Sequence, residues 1–367
     1  MDTRNGSDDT QRHSSTTGVS RRTVLASGAA GIGTAALAGC MDGASGGGET
    51  NIAVISSPAG FGDNAFNDNA VSGLEDAEDD FDLEFTQVEE RSESNYPSVQ
   101  ANTADGDYDL IICIGDNHTD ALVENADEYS DQNWMLINNV VEGADNVSGW
   151  IEMNNEMSFL AGVAAGTLTQ EDIEHEDSST DPDEDIVGFV GGEQIDLIEA
   201  FEVSYIQGVE WVDEDIEVLD GYGGSFDDAS AAANQAESQM DAGADIVWHA
   251  ASSAGEGVFS AAQDNGRFAL GVDTDQSESE DYQDVILGSA VKALNQATYD
   301  MAEAVTEDNF GDFVGEQNLS LENGGIDFVV GQAFDGDLPD TLDENLEEAI
   351  QAFEDDEIDL ECGPTGC

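Results

Sequence analysis

From residue 51 onward, short apolar runs alternate with longer amphipathic segments, and this alternation constrains the fold more than any other feature of the chain. Runs at 51–56, 82–86, 109–114, 134–138, 147–151, 186–190, 216–219, 245–250, 268–273, 285–291 and 326–330 have strand length and strand-like composition. Between them lie helical patterns near 68–80, 94–104, 118–128, 155–169, 198–211, 228–241, 255–265, 292–306 and 341–354. Strand-then-helix repetition predicts parallel sheets covered by helices on both faces. So many strands exceed one small doubly wound sheet, so two lobes are expected, with 147–151 leading from the first into the second. The acidic stretch Asp172–Asp185 reads as a solvated insertion, and His175 within it as a solvent-facing residue rather than a metal ligand.

Charge limits the partners. Among 367 residues, 83 are acidic and seven are Lys or Arg, a formal net charge of −76. Apolar runs such as Leu110-Ile111-Ile112-Cys113-Ile114 argue against an acidic disordered chain. A folded protein of this charge repels itself in dilute salt, whereas in molar salt the Debye length falls to about 3 Å and the repulsion is screened. The composition therefore reads as that of a halophile's protein. Nucleic acid is excluded as a partner by the absence of a basic patch.

The N-terminus carries an address. Ser20-Arg21-Arg22-Thr23-Val24-Leu25 is a twin-arginine pattern, followed by a small-residue apolar run from Ala26 to Ala38. That run is too short and too rich in Gly and Ala for a good membrane span. It ends in Leu37-Ala38-Gly39-Cys40, which resembles a lipobox with Cys40 as the lipidated residue. Residues 1–40 are thus expected to be a twin-arginine lipoprotein signal, and 41–50 a flexible tether. This places the protein at the cell membrane, lipid-anchored on the extracellular face. Removal of the signal leaves Arg91, Arg267 and Lys292 as the Lys and Arg residues, and Lys292 is the sole lysine of the chain. Cys113 falls in an apolar strand and reads as a buried thiol. Cys362 and Cys367 are spaced for a small disulfide loop, which the extracellular setting permits.

Open α/β sheets bind ligands outside the carboxyl ends of their strands. Those ends offer the glycine-rich segment Gly60–Asp68, Ile114-Gly115-Asp116, Ile137-Asn138-Asn139, Gly191-Gly192-Glu193, Ser252-Ser253 and Asp273. Within Gly60–Asp68, Asn67 or Asp68 is positioned to cap the next helix, and Phe66 reads either as a hydrophobic staple or as a ring presented to a ligand. Asp273 at a strand end is suited to accept hydrogen bonds from sugar hydroxyls. Lys292, also at a strand end, reads as a ligand donor whose loss affects affinity more than stability, or else as an ion pair with one of many acids. Catalytic and metal constellations are missing: the histidines His13, His118, His175 and His249 fall in no metalloprotease pattern, and no phosphate-binding Gly-rich Lys loop occurs. Gly255-Glu256-Gly257 imitates a dinucleotide turn, but Ser260 stands where its third glycine belongs. No enzyme, cofactor or metal site is expected.

Several ordered blocks resemble the basic membrane protein (BMP) family of ABC-transporter solute-binding lipoproteins. They are Asp63-Asn64-Ala65-Phe66-Asn67-Asp68, Phe159–Ala165, Gly188-Phe189-Val190-Gly191-Gly192, Gly224-Ser225-Phe226-Asp227-Asp228, Gly243–Val247, Gly271–Gln276 and Ser289-Ala290-Val291-Lys292. The resemblance implies a type I periplasmic-binding-protein fold of two doubly wound lobes joined by a three-crossing hinge. Residues 51–150 plus about 289–312 would form the first lobe, and 151–288 plus about 313–360 the second. It implies a solute-binding protein of an ABC importer, partnered by permease and ATPase subunits, with a purine nucleoside as solute. A sensory co-receptor of the same fold, or a receptor for another small solute such as a sugar, are the competing readings. By the same resemblance Phe66 and Phe201 sandwich the base, Asp63 and Asn67 face the ligand, and Asp273 and Lys292 hold the ribose. Asn138 stands where the family often has Asp, and an amide both donates and accepts where a carboxylate only accepts.

Two outcomes are expected from the sequence. Circular dichroism across a salt titration should show cooperative folding of the mature domain only in high salt; a native fold persisting at about 0.1 M salt, where the Debye length is roughly 10 Å, contradicts the reading. Cys40→Ala should move the protein from the membrane to the soluble fraction, and unchanged membrane association contradicts the anchor.

Overall fold

The computed structural model describes residues 50–182 and 184–367. The twin-arginine pattern, Cys40 and residues 41–49 lie outside the described residues; Thr50, expected at the end of the tether, already opens the first strand.

The first lobe begins with β1 (Thr50–Ile55), α1 (Phe66–Asp80), β2 (Leu83–Val88), α2 (Tyr96–Ala104), β3 (Leu110–Cys113), α3 (Thr119–Glu128), β4 (Asn133–Ile137) and β5 (Val147–Glu152). The chain then crosses to α4 (Asn154–Thr169), the hairpin β6 (Glu174–His175) and β7 (Ser178–Ser179), β8 (Ile186–Gly191), α5 (Asp196–Val212), β9 (Glu217–Tyr222), α6 (Ala229–Asp241), β10 (Ile246–Ala250), α7 (Glu256–Asn265), β11 (Phe268–Asp273) and β12 (Ile286–Lys292). It returns for α8 (Leu294–Thr306) and β13 (Gly315–Leu319), and crosses a third time to β14 (Ile326–Val330) and α9 (Asp340–Glu354). The first sheet has the order β13-β5-β4-β3-β1-β2 and is parallel throughout; the second has the order β14-β12-β11-β10-β8-β9, parallel except for the antiparallel edge strand β14. This is an α/β architecture of two doubly wound lobes, as in type I periplasmic binding proteins.

Two boundaries differ from expectation. Residues 289–292 belong to β12 in the second sheet, and 315–319 pair with β5 in the first. The apolar run of β12 is equally suited to either sheet. The sequence of β13, Gly-Glu-Gln-Asn-Leu, carries no apolar pattern, because an edge strand needs few buried side chains. The acidic insertion is likewise more ordered than expected. Its hairpin turns His175 inward, half-buried, with Nε2 at 3.2 Å from Asp284 and the ring 4.8 Å from that of Phe334.

Parallel strands buried on both faces read as continuous apolar runs, and those of β1, β3, β4, β10 and β11 are buried along nearly their whole length. Helix α4 is buried nearly all round, packed on α5, on α9 and on the second sheet. A Cβ on Gly162 would lie 2.1 Å from the Tyr205 carbonyl oxygen, and one on Gly208 2.1 Å from that of Phe159. Glycine is therefore required at both for the helices to close on each other, and this contact fixes the helix that carries Phe201. Cys113 is a buried free thiol, and Cys362 and Cys367 are joined in a disulfide. Among the described residues, no helix is long and apolar enough to cross a membrane.

Candidate functional site

In each sheet the strand order reverses once, between β1 and β3 and between β8 and β10, and the two switch points face each other across the lobes. A cavity of about 170 Å³ lies between them. That is far more than the roughly 10–15 Å³ one water requires. Its wall is built from strand ends: Ser57 after β1, Gly115 and Asp116 after β3, Asn138 after β4, Glu193 after β8, Ala250–Ser252 at and after β10, Asp273 on β11 and Lys292 on β12.

Of the residues expected at the site, Phe66, Asn138, Phe201, Asp273 and Lys292 line this cavity. Phe66 opens α1 in the first lobe and Phe201 lies on α5 in the second. The Lys292 ammonium is 4.8 Å from the Phe66 ring centre and 5.9 Å from that of Phe201. Phe201 is backed by Trp248, whose ring is stacked at 6.0 Å and whose indole N–H is held by the Gly271 carbonyl. The ring is therefore fixed before any ligand arrives.

Asp63 and Asn67 sit behind the wall. The Asp63 carboxylate accepts from the backbone N–H groups of Ala65, Asn67 and Asp68 and from the Asn67 amide, so it, rather than Asn67 or Asp68, satisfies the start of α1. Asp68 instead binds the loop N–H groups of Gly62 and Asn64. Asn67 accepts from Ser57 N–H and donates to Ser57 Oγ. These bonds fix the loop on which Phe66 depends. Asp63 also reaches the other lobe, accepting from Ser252 Oγ at 2.8 Å. A second link joins Gln276 Nε2 to the Asn64 carbonyl at 3.0 Å, and a third joins Asn69 Nδ2 to the carbonyls of Asp273 and Lys292. The lobes are closed on each other.

The chain is bent sharply at the site. Asn64, Asn138, Ser252 and Asp273 have φ of 50°, 67°, 48° and 70°. Non-glycine residues in this left-handed region cost about 1–3 kcal/mol each and gather at ligand sites, with Asn and Asp the types that tolerate it best. The bends turn the Asn138 and Asp273 side chains into the cavity. Asn138 Oδ1 accepts from Asn154 Nδ2 at 2.9 Å and its backbone N–H donates to the Trp150 carbonyl, while its side-chain amide N–H groups have no protein acceptor among the described residues. They remain available to a solute acceptor.

Lys292 is both a cavity residue and an ion pair. Its ammonium lies 3.1 Å from Asp273 Oδ1 and 3.3 Å from Glu152 Oε1, and donates to Asn154 Oδ1 at 3.0 Å. All of these groups are buried. Burial lowers the lysine's proton affinity, but the two carboxylates more than offset this and leave its pKa above the usual value. Burial raises the Glu152 carboxyl to about 7 against the pull of Lys292, and raises Asp273 in the same way. Glu152 and Asn154 were not recognised in the sequence: each is one polar residue beside the first crossing, with no motif around it. His118 and His249 are buried and held neutral, each pushed by burial to about 4. His118 stacks on Tyr96 and bonds the Ser56 carbonyl, while His249 bonds Gln276, so both brace the walls.

The sequence profile of the Bmp family, described as ABC transporter substrate-binding protein PnrA-like, matches residues 50–360. The chain is similar to the ABC transporter nucleoside-binding protein BmpA of Lactococcus lactis, 29% identical over 85% of this chain and 92% of the relative. It is also similar to a CD4+ T-cell-stimulating antigen of Listeria monocytogenes, 29% identical over 72% of this chain and 75% of that one. Among solved structures, an ABC transporter solute-binding protein of Aeropyrum pernix superposes with a TM-score of 0.67 at 24% identity, covering 84% of this chain and 87% of that one. The glucose-galactose binding protein GanP of Geobacillus stearothermophilus superposes with a TM-score of 0.58 at 14% identity, covering 80% and 99%. These two likenesses carry the fold.

The buried pairing overturns the expectation that loss of the lysine spares stability. Removing one partner of a buried ion pair costs about 3–5 kcal/mol, because the other charge is left uncompensated. Lys292→Met should therefore lower the thermal midpoint clearly at pH 8. The loss should shrink at pH 5, where Glu152, whose carboxyl burial raises to about 7, takes up a proton and becomes neutral. A midpoint equal to that of the parent at pH 8 contradicts this account.

Proposed function

Because the chain belongs to the Bmp family of PnrA-like ABC-transporter substrate-binding proteins, a non-catalytic transport family whose members serve a permease and an ATPase, we propose that its solute is a nucleoside, with a purine preferred. The carrying observation is the pair of phenyl rings, Phe66 from the first lobe and Phe201 from the second, that line one cavity with Lys292 and Asp273. A flat base fits between rings brought together by lobe closure, and stacking contributes about 1–3 kcal/mol per base. The sugar then meets the polar end of the cavity, where Asp273 accepts from its hydroxyls and Lys292 donates to them. Asn138 is placed to donate to an acceptor on the base edge. The nucleoside-binding relative from Lactococcus lactis supports the same class of solute. A lipid on Cys40 would keep the closed and open forms near the permease.

The polar end also sets a ranking. A free base forgoes the hydrogen bonds that sugar hydroxyls can make to Asp273 and Lys292, and hydrogen bonds to charged groups contribute about 1.5–3 kcal/mol each. A nucleotide brings a phosphate to a cavity walled by Asp116, Glu193 and Asp273, with Lys292 already paired. Calorimetry in molar salt with inosine, guanosine, adenosine, a pyrimidine nucleoside, the free bases, ribose and inosine monophosphate should give nucleoside above free base above nucleotide. Tight binding of a simple sugar, with no response to any nucleoside, overturns the nucleoside reading and leaves a receptor for a sugar.

A further inference from the structure

A lysine ammonium has three N–H donors, and around Lys292 there are three protein acceptors: Asn154 Oδ1 at 3.0 Å, Asp273 Oδ1 at 3.1 Å and Glu152 Oε1 at 3.3 Å. A solute hydroxyl that accepts from Lys292 must therefore displace one of them. Asp273 and Lys292 line the cavity, whereas Glu152 does not; it is fully buried at the end of β5, one residue before the chain crosses between lobes. Its contact with the lysine is the longest of the three. Apart from the lysine, no described residue hydrogen-bonds either Glu152 oxygen. The carboxylate held by the longest contact, and away from the cavity wall, is the partner that is easiest to exchange when the ammonium turns toward a solute.

We propose that Glu152 is the exchangeable partner of Lys292: a solute hydroxyl takes the lysine donor that Glu152 holds, and the Glu152 carboxylate binds a proton from solvent in compensation. The proposal rests on the reading that Lys292 meets a hydroxyl of the solute. The balance is simple: one carboxylate and one solvent proton become one carboxylic acid, and no other bond is made or broken. The protonated acid can stay buried without a counter-charge. Glu152 thus acts through Lys292 as a positioning residue and couples solute capture to pH.

The surroundings leave Glu152 free to respond. Lys292 on β12 and Asp273 on β11 are the charged groups that act on it directly. Asp63, on the loop before α1, acts on Asp273 from the first lobe. Glu156 on α4 is occupied by the Leu321 N–H, and Asp327 on β14 by the Phe328 N–H. Burial already holds the Glu152 carboxyl at about 7, so losing part of the lysine's charge moves it across neutrality.

The sign follows from linkage. If binding raises the pKa of Glu152, binding takes up protons above about pH 7, and affinity falls with rising pH by at most about tenfold per unit. Inosine binding to the full chain would be measured by calorimetry in molar salt from pH 6 to pH 9, in two buffers of different ionisation enthalpy. The parent protein should show uptake approaching one proton per inosine at pH 8, with affinity falling several-fold between pH 7 and pH 8. Glu152→Gln, which mimics the protonated acid, should bind inosine with a flat profile over the same range and no uptake. Binding without proton uptake in the parent, or an unchanged profile in Glu152→Gln, overturns the proposal and leaves the nucleoside reading standing. If Glu152→Gln does not fold, the proton count of the parent decides alone. No inosine binding at any pH removes the nucleoside reading, and the proposal with it.

Discussion

The buried charge cluster at Lys292 is the constraint on which the rest of the site depends. One ammonium and two carboxylates lie in the interior, where unpaired charges are costly and paired ones are held by geometry. Glu152 ends the first lobe, Asn154 begins the first helix of the second, and Lys292 ends the strand from which the chain returns. Two of the three crossings therefore meet at one ammonium. The third is tied in by Glu156, whose carboxylate accepts from the Leu321 N–H. Lys292, on which the crossings converge, also lines the polar end of the cavity, so the hinge and the cavity share one residue.

The remainder of the site is held by bonds that leave little to the solute except orientation. Asp63 fixes the start of α1, and with it Phe66, while its contact to Ser252 helps to latch the lobes. Trp248 and the glycine contact between α4 and α5 fix Phe201. Left-handed bends at Asn138, Ser252 and Asp273 store strain at the strand ends. The structure thus has braced walls, each carried by one lobe, and direct hydrogen bonds that hold the lobes together over the cavity. That arrangement suits capture and release better than it suits chemistry. The cavity wall does contain acids, of which Asp273 is paired with Lys292 and Glu193 is exposed, and the two histidines nearest the sheet ends are held neutral as braces.

The extreme acidity of the chain has a place in this picture. Lys292 is the sole lysine, and it is withdrawn from the surface to the interior. Arg91 lies at the mouth of the lobes, beside Glu89 and within 3.9 Å of Asp227 across the cleft. Arg267 braces the β6–β7 hairpin through the Ser179 carbonyl. Exposed pairs of this kind contribute little, so the surface is left to be balanced by solvent ions.

Much of the fold was legible because parallel strands buried on both faces leave continuous apolar runs, and β1, β3, β4, β8, β10, β11 and β12 all do. Strand-end position and family resemblance together pointed to Phe66, Asn138, Phe201, Asp273 and Lys292, which the structure gathers around one cavity. Other features had no signal to read. The sequence of β13 is polar because it is an edge strand, and nothing in the run of β12 says which sheet it joins. Asp63 and Asn67 have the composition of ligand contacts but are consumed by the backbone of their own loop. Among 83 acids the sequence cannot say which two meet the lysine. The sequence by itself determined the alternation, the charge and the strand ends, because these are set by neighbours along the chain. Only the tertiary structure decided that Glu152, Asn154 and Asp273 converge on Lys292, because that pairing depends on where three crossings of the chain bring distant residues together.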